Sequence, residues 1–162
     1  MSPAIVIRPE RADHPQVMTL LDTLDTYLRS LYPPDANHIL SVQELLAPEV
    51  VFVAAWQGDA AVGCGAVRRM PGQGDTGGQP YGEIKRMFVQ TALRGQRIAE
   101  RVIQTLEAQL IADGITLALL ETGRDQHAAV RLYERCGYAR CAVFGGYLDN
   151  GLSLFMQKRL VS

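Results

Sequence analysis

A chain of 162 residues, 48% hydrophobic and 20% charged, has the balance of a soluble globular protein and the length for one full-sized core. Its formal net charge of -1 supplies no global pull toward nucleic acid or an anionic membrane, so any anion binding has to come from a local arrangement. The three cysteines, Cys64, Cys136 and Cys141, form no CxxC pair, which argues against a disulfide framework or a zinc site and for a reducing cytoplasm.

"MSPAIVIRPE" has neither a basic leader nor a long apolar run, so no signal peptide is expected. No apolar segment approaches the roughly 20 residues that span a bilayer. "AIVIRPE" reads as a short buried strand closed by Pro9. After Asp13, the stripe Val17, Leu20, Leu21, Leu24, Tyr27, Leu28, Leu31 puts one apolar face on a helix of about 18 residues. Pro33 and Pro34 stop it, and "ILSVQELL" suggests a second, shorter helix.

"EVVFVAAWQGDAAVGCGAVRRM" predicts two strands around a Gly58-Asp59 turn, and "PGQGDTGGQP" a flexible loop without packing residues. "YGEIKRMFV" is the next strand. A helix follows with Ile98, Val102, Ile103, Leu106 and Leu110 on one face, ended by Asp113-Gly114. "ITLALLET", apolar throughout, fits a central strand covered on both sides. "DQHAAVRLYERC" is an amphipathic helix closed by Gly137, and "YARCAVFGGYL" with "LSLFMQKRL" forms a last antiparallel pair. The expected class is α+β, layered as an α/β/α sandwich. Its sheet is mixed and mostly antiparallel, with a central parallel strand–helix–strand crossover from residue 83 to 121, in one domain over 1–162.

The chemistry concentrates at the junction "LRGQRIA". A helix start exposes backbone N–H groups without internal partners and favours acidic side chains, yet this one carries Arg94 and Arg97 around Gly95. Amide hydrogens and forked guanidinium donors together suit a phosphate, and glycine lets the backbone come close. On spacing alone, two solvated arginines and a turn glycine are the better reading. There is no GK[ST] ending for a nucleotide loop and no GxGxxG for a dinucleotide. His14, His38 and His127 show no metal-ligand spacing, so no metal is expected, and Cys64 and Cys136 read as small core residues.

"MFVQTALRGQRIAERVI", then "LALLETG" and "AAVRLYERCGYAR", resembles the GNAT superfamily of acyl-CoA-dependent N-acyltransferases, with its [R/Q]xxGx[G/A] loop and later AxxLYxxxGF pattern. The match is close over 83–138. The resemblance implies an N-acetyltransferase that moves an acetyl group from acetyl-CoA to a primary amine of a small molecule or peptide by direct attack in a ternary complex. It further implies that Met87, Phe88 and Val89 pair with the pantetheine arm, and that Arg94, Gly95, Gln96, Arg97, Ile98 and Ala99 hold the pyrophosphate. Gln126 stands where many members contact the cofactor through Asn, Tyr133 where the family has the acid for the departing thiolate, and Glu83 where one branch has its base. Arg97 departs from the pattern, replacing its central glycine, and Tyr138 replaces Phe. Tyr27, Tyr32, His38 and Tyr147 fall in the unpatterned parts expected to line the acceptor pocket. A second reading, a non-catalytic acyl-CoA-binding module on the same fold, rests on Arg97. The expected partners are acetyl-CoA and an amine, not nucleic acid or membrane, with the protein monomeric or homodimeric.

Overall fold

The computed structural model describes residues 3–34 and 39–161. Its elements follow the predicted order. Strand β1 (Ile5–Pro9) leads to helix α1 (Pro15–Leu31) and short α2 (Val42–Leu45); strands β2 (Val50–Gln57), β3 (Ala60–Met70) and β4 (Tyr81–Val89) follow. Helix α3 (Ile98–Ala112), β5 (Leu117–Gly123), α4 (His127–Arg135), β6 (Ala139–Arg140) and β7 (Ser153–Arg159) complete the chain. The strands form one seven-stranded sheet in the order β1-β2-β3-β4-β5-β7-β6. All pairs are antiparallel except β4–β5, the two ends of the crossover. The mixed α+β sandwich expected from the pattern is the fold observed.

Local chemistry explains the boundaries. The α1 stripe works because Pro15 occupies the first turn, where its missing N–H costs nothing, and the His14 ring accepts from Gln16 N at 3.2 Å. Helix α2 is only four residues long, but Ser41 and Glu44 form a reciprocal capping box. Gly58 turns the β2–β3 hairpin at φ +59, and Gly114 ends α3 at φ +77.

Both faces of the sheet are covered. Helix α3 lays Ile98, Val102, Ile103, Leu106 and Leu110 against Val53, Val67, Ile84, Ala118 and Leu120. On the other face α1 packs Val17, Leu20, Leu21 and Leu24 on Phe52, Ala54, Trp56 and Phe88. Beside it, Phe144 and Tyr147 from the segment before β7 cover Tyr81, Leu119 and Phe155. Strand β5 therefore has apolar neighbours on both sides, as its uninterrupted run required.

Four expectations change in detail. Strand β1, expected to be buried, is an edge strand of the sheet, with Val6 50% exposed. Tyr27 and Leu31, assigned to the apolar face of α1, are 48% and 43% exposed, because the last turns of α1 run past the sheet. The loop after β3 is a hydrogen-bonded turn: Gln73 N donates to Thr76 Oγ1 at 2.9 Å, and Gly72 passes so near Gly78 that a Cβ there would meet its carbonyl. "YARCAVFGGYL" yields just the two residues of β6, since Gly145 and Gly146 adopt positive φ and carry the chain away from the sheet. No helix among the described residues is long and apolar enough to cross a membrane.

Candidate active site

The site exists because two strands part. Parallel pairing of β4 with β5 runs only from Gly82–Ile84 to Ala118–Leu120. Beyond it, Arg86 takes φ +59 and the β3–β4 register slips between Cys64 and Ala66, a bulge that bends β4 away. Gly65 lies opposite. A Cβ there would stand 2.5 Å from Met87 Sδ and 2.7 Å from Val102 Cγ1, so the bulge and the α3 contact both require glycine. Arg86 is itself buried and pays for its charge with an ion pair to Asp25 of α1, Nη1 to Oδ1 at 2.5 Å.

Two cavities meet across this gap. The larger, about 780 Å³, is a groove between the α3 start and α4. It is lined by Met87, Phe88, Val89, Arg94, Gly95, Arg97, Ile98, Ala99 and Gln126, so every residue expected to contact the cofactor borders it except Gln96. The smaller, about 140 Å³, lies between β4 and β5 under α1, walled by Lys85, Arg86, Glu121, Thr122, Gly123 and Tyr32 among others. Met87, Gln126, Ala129, Leu24 and Tyr133 border both.

At the groove's end the backbone is shaped to present donors. Gly95 has φ +85 and Arg97, the N-cap of α3, φ +62. Two left-handed residues in three turn successive amides to one side. The first helical bond runs from Arg101 N to Arg97 O, so the amides of Ile98, Ala99 and Glu100 precede it and have no partner within the helix. Arg97 thus adopts the conformation that glycine would take, and its exposed side chain stands on the groove wall. Arg94 is anchored: Nε donates to Val89 O at 3.1 Å and its guanidinium lies over the Phe88 ring.

Tyr133 sits where the cavities join. Its ring is buried and meets Tyr138 edge-on, centroids 6.0 Å apart. Its hydroxyl has no hydrogen-bond partner among the described residues, yet is not sealed from the cavities. Burial raises the phenol above its ordinary range, with Cys136 and Glu121 adding to the effect, so it holds its proton at neutral pH.

Glu83 stands behind the cavity wall rather than on it. It is 4% exposed and borders neither cavity; its carboxylate accepts from Tyr147 Oη at 2.5 Å and pairs with Lys85 Nζ at 3.1 Å. Tyr147 also accepts from Lys85 Nζ at 2.6 Å, and burial together with the Glu83 carboxylate raises its phenol. Tyr147 therefore braces Lys85 from outside the cavity. Tyr32 borders the small cavity and Tyr27 does not, lining the groove instead. His38 lies outside the described residues. Burial pushes the Cys64 thiol up to about 12, consistent with a core residue.

Lys85, Arg86 and Glu121 have no site role of their own in the sequence, although Glu121 falls within the "LALLETG" stretch of the resemblance. Lys85 and Arg86 lie inside the strand "YGEIKRMFV" and Glu121 inside the apolar run "ITLALLET", so neither stretch marks them, and the parting of the strands places them on a cavity wall. Asp125 and Arg131 at the groove likewise had no signal beyond helix position.

The arrangement has relatives. Residues 17–138 match the profile of the Acetyltransferase (GNAT) family. An IAA acetyltransferase of Azospirillum brasilense is 40% identical over 158 residues, covering 98% of this chain and 99% of the relative. The Bacillus subtilis N-acetyltransferase YsnE, itself uncharacterised, is 32% identical, covering 90% and 93%. An aminoglycoside 6'-N-acetyltransferase solved with coenzyme A shares the fold at TM-score 0.70 and 20% identity, covering 97% of this chain and 98% of that one. The chain belongs to the GNAT acetyltransferase family and is an acyl-CoA-dependent N-acyltransferase.

Proposed function

We propose that the protein transfers an acetyl group from acetyl-CoA to a primary amine by direct attack in a ternary complex. The observation that carries this reading is the meeting of a long groove and a small cavity at a single protonated phenol, Tyr133. In it, the amides of residues 95–99 with Arg94 and Arg97 hold the pyrophosphate. The edge of β4 at Met87–Val89, freed where β5 departs, pairs with the pantetheine arm as an added strand would. The thioester then lies at the gap and the amine enters from the small cavity. Tyr133 protonates the leaving thiolate, and Glu83 with Tyr147 holds Lys85 in the wall. The test is thiol release from acetyl-CoA over a panel of amines, with the IAA by which the Azospirillum relative is named assayed alongside them. Amine-dependent release is the expected result. Heat of acetyl-CoA binding without release for any acceptor overturns the transfer and leaves a binding module.

Arg97 gives a separate check on the pyrophosphate site. A non-glycine residue in the left-handed region costs about 1 kcal/mol. Arg97→Gly is expected to raise the apo-protein Tm by roughly 2–4 °C, since one kcal/mol moves a chain of this size by that much. The same variant should weaken coenzyme A binding about three- to fivefold, the worth of one exposed charge pair. Calorimetry and thermal melting read the two opposite effects in one protein.

A further inference from the structure

The small cavity sets limits on what can enter it. At about 140 Å³ it is close to the ~150 Å³ that hold one benzene ring, roughly six heavy atoms. Its wall carries charge of both signs, with Lys85 and Arg86 on β4 and Glu121 on β5, so the guest has to be polar where it touches them. The two cations are held in place. Lys85 Nζ lies 3.1 Å from the Glu83 carboxylate and 2.6 Å from Tyr147 Oη, and Arg86 Nη1 lies 2.5 Å from Asp25 Oδ1. Arg86 nevertheless keeps a donor unused. Its side chain is 4% exposed, and Nε, shut off from solvent, donates to nothing among the described residues. A buried charged N–H without an acceptor is costly. The Nε side of a guanidinium is also an edge on which a carboxylate docks with two parallel bonds.

We propose that Arg86, with Lys85 beside it, reads a carboxylate on the acceptor, and that the acceptor is a free α-amino acid. The proposal rests on the acetyl-transfer reading above and names the substrate class of that same site. The ammonium nitrogen, α-carbon and carboxylate of an amino acid fill a volume of this size. Arg86 then bridges two carboxylates, Asp25 through Nη1 and the guest through the Nε edge, with Lys85 as the second positive charge. The guest nitrogen, one carbon away from its carboxylate, turns toward the gap where Tyr133 stands. The rest of the lining includes Leu24, Leu28 and Leu152, which suits an apolar side chain on the guest. The transfer itself is unchanged. A C–N bond forms and the C–S bond breaks, the thiolate gains a proton, one further proton goes to solvent, and the products are the N-acetyl amino acid and free thiol.

The experiment measures kcat/KM for thiol release with three acceptors that differ at one group. They are L-leucine, L-leucinamide, whose amide replaces the carboxylate without its charge, and 3-methylbutylamine, which lacks it. Wild type should prefer L-leucine to each of the others by about 100-fold or more, since a site built to bond a group rejects the analogue without it. Arg86→Lys keeps a cation for Asp25 and replaces the planar fork by a point charge. It should bind acetyl-CoA within twofold of wild type, which certifies its fold. Its KM for L-leucine should rise about 10-fold or more, the worth of a lost bidentate contact, while kcat/KM for 3-methylbutylamine changes less than threefold. Wild type that uses L-leucinamide or 3-methylbutylamine within threefold of L-leucine, or better, overturns the carboxylate assignment and spares the transfer reading, whether or not the variant folds. An Arg86→Lys variant that lowers both acceptors by the same factor overturns it too, by making Arg86 a structural residue alone. Wild type that transfers to no amine overturns both.

Discussion

Tyr133→Phe should lower kcat by about 10²-fold while leaving the acetyl-CoA dissociation constant within twofold, the mark of a group that acts on the leaving thiolate. A thiol of pKa about 8.5 leaves poorly as a free anion, and a phenol of about 10 can still donate to it. Burial among apolar neighbours raises Tyr133 further, so the donor form stays full through the working range. The sign is specific: wild type should show no loss of activity from this residue as pH rises to 9. The same burial supplies the competing explanation, since Tyr133 also packs edge-on against Tyr138. Phe keeps that packing and removes only the oxygen. Turnover unchanged on the substitution would therefore make Tyr133 a packing residue and dissolve the proton-donor assignment.

What could be read from the sequence was whatever repeats with a helix or strand period. The α3 stripe from Ile98 to Leu110 and the unbroken run "LALL" named both faces of the central crossover, because burial is periodic in each. The junction at 94–99 was readable for another reason: cations where a helix prefers acids is a local contradiction, and such contradictions mark sites. The parting of β4 and β5 was not readable. It depends on a left-handed residue at Arg86, which no glycine announces, and on Gly65 across the ladder, which looks like any strand glycine until Met87 and Val102 are seen against it. Glu83 and Glu121 illustrate the consequence. Both sit in apolar strands, yet Glu121 borders the small cavity while Glu83 stands behind Lys85 and Tyr147. The last segment misled for a similar reason, since "YARCAVFGGYL" has strand composition but two glycines at positive φ.

Glu107→Ala should destabilise the fold by about 3 kcal/mol, a Tm fall of roughly 6–12 °C for a chain this long. Glu107 lies on α3 at 7% exposure, among leucines, where a carboxylate has no business without partners. It has two. Tyr138 Oη donates to Oε2 at 2.7 Å and Lys158 Nζ of β7 to Oε1 at 3.0 Å, which ties together α3, the turn after α4 and the sheet. The network follows from one atom: the family pattern has Phe where this chain has Tyr138, and a buried hydroxyl needs an acceptor. Removing Glu107 orphans that hydroxyl, while Lys158, partly exposed, can turn to water. Tyr138→Phe alone should cost only about 1 kcal/mol, because Glu107 keeps Lys158. The double variant should then be more stable than the sum of the two losses predicts, by about 1 kcal/mol, since no orphaned hydroxyl is left. Strict additivity in urea melts would show that the three side chains do not act as a unit. Because the Tyr138 ring leans on Tyr133, the same variants measure whether this brace also sets the position of the Tyr133 hydroxyl proposed as donor: acetyl-CoA affinity held constant with kcat falling in Glu107→Ala would show that it does.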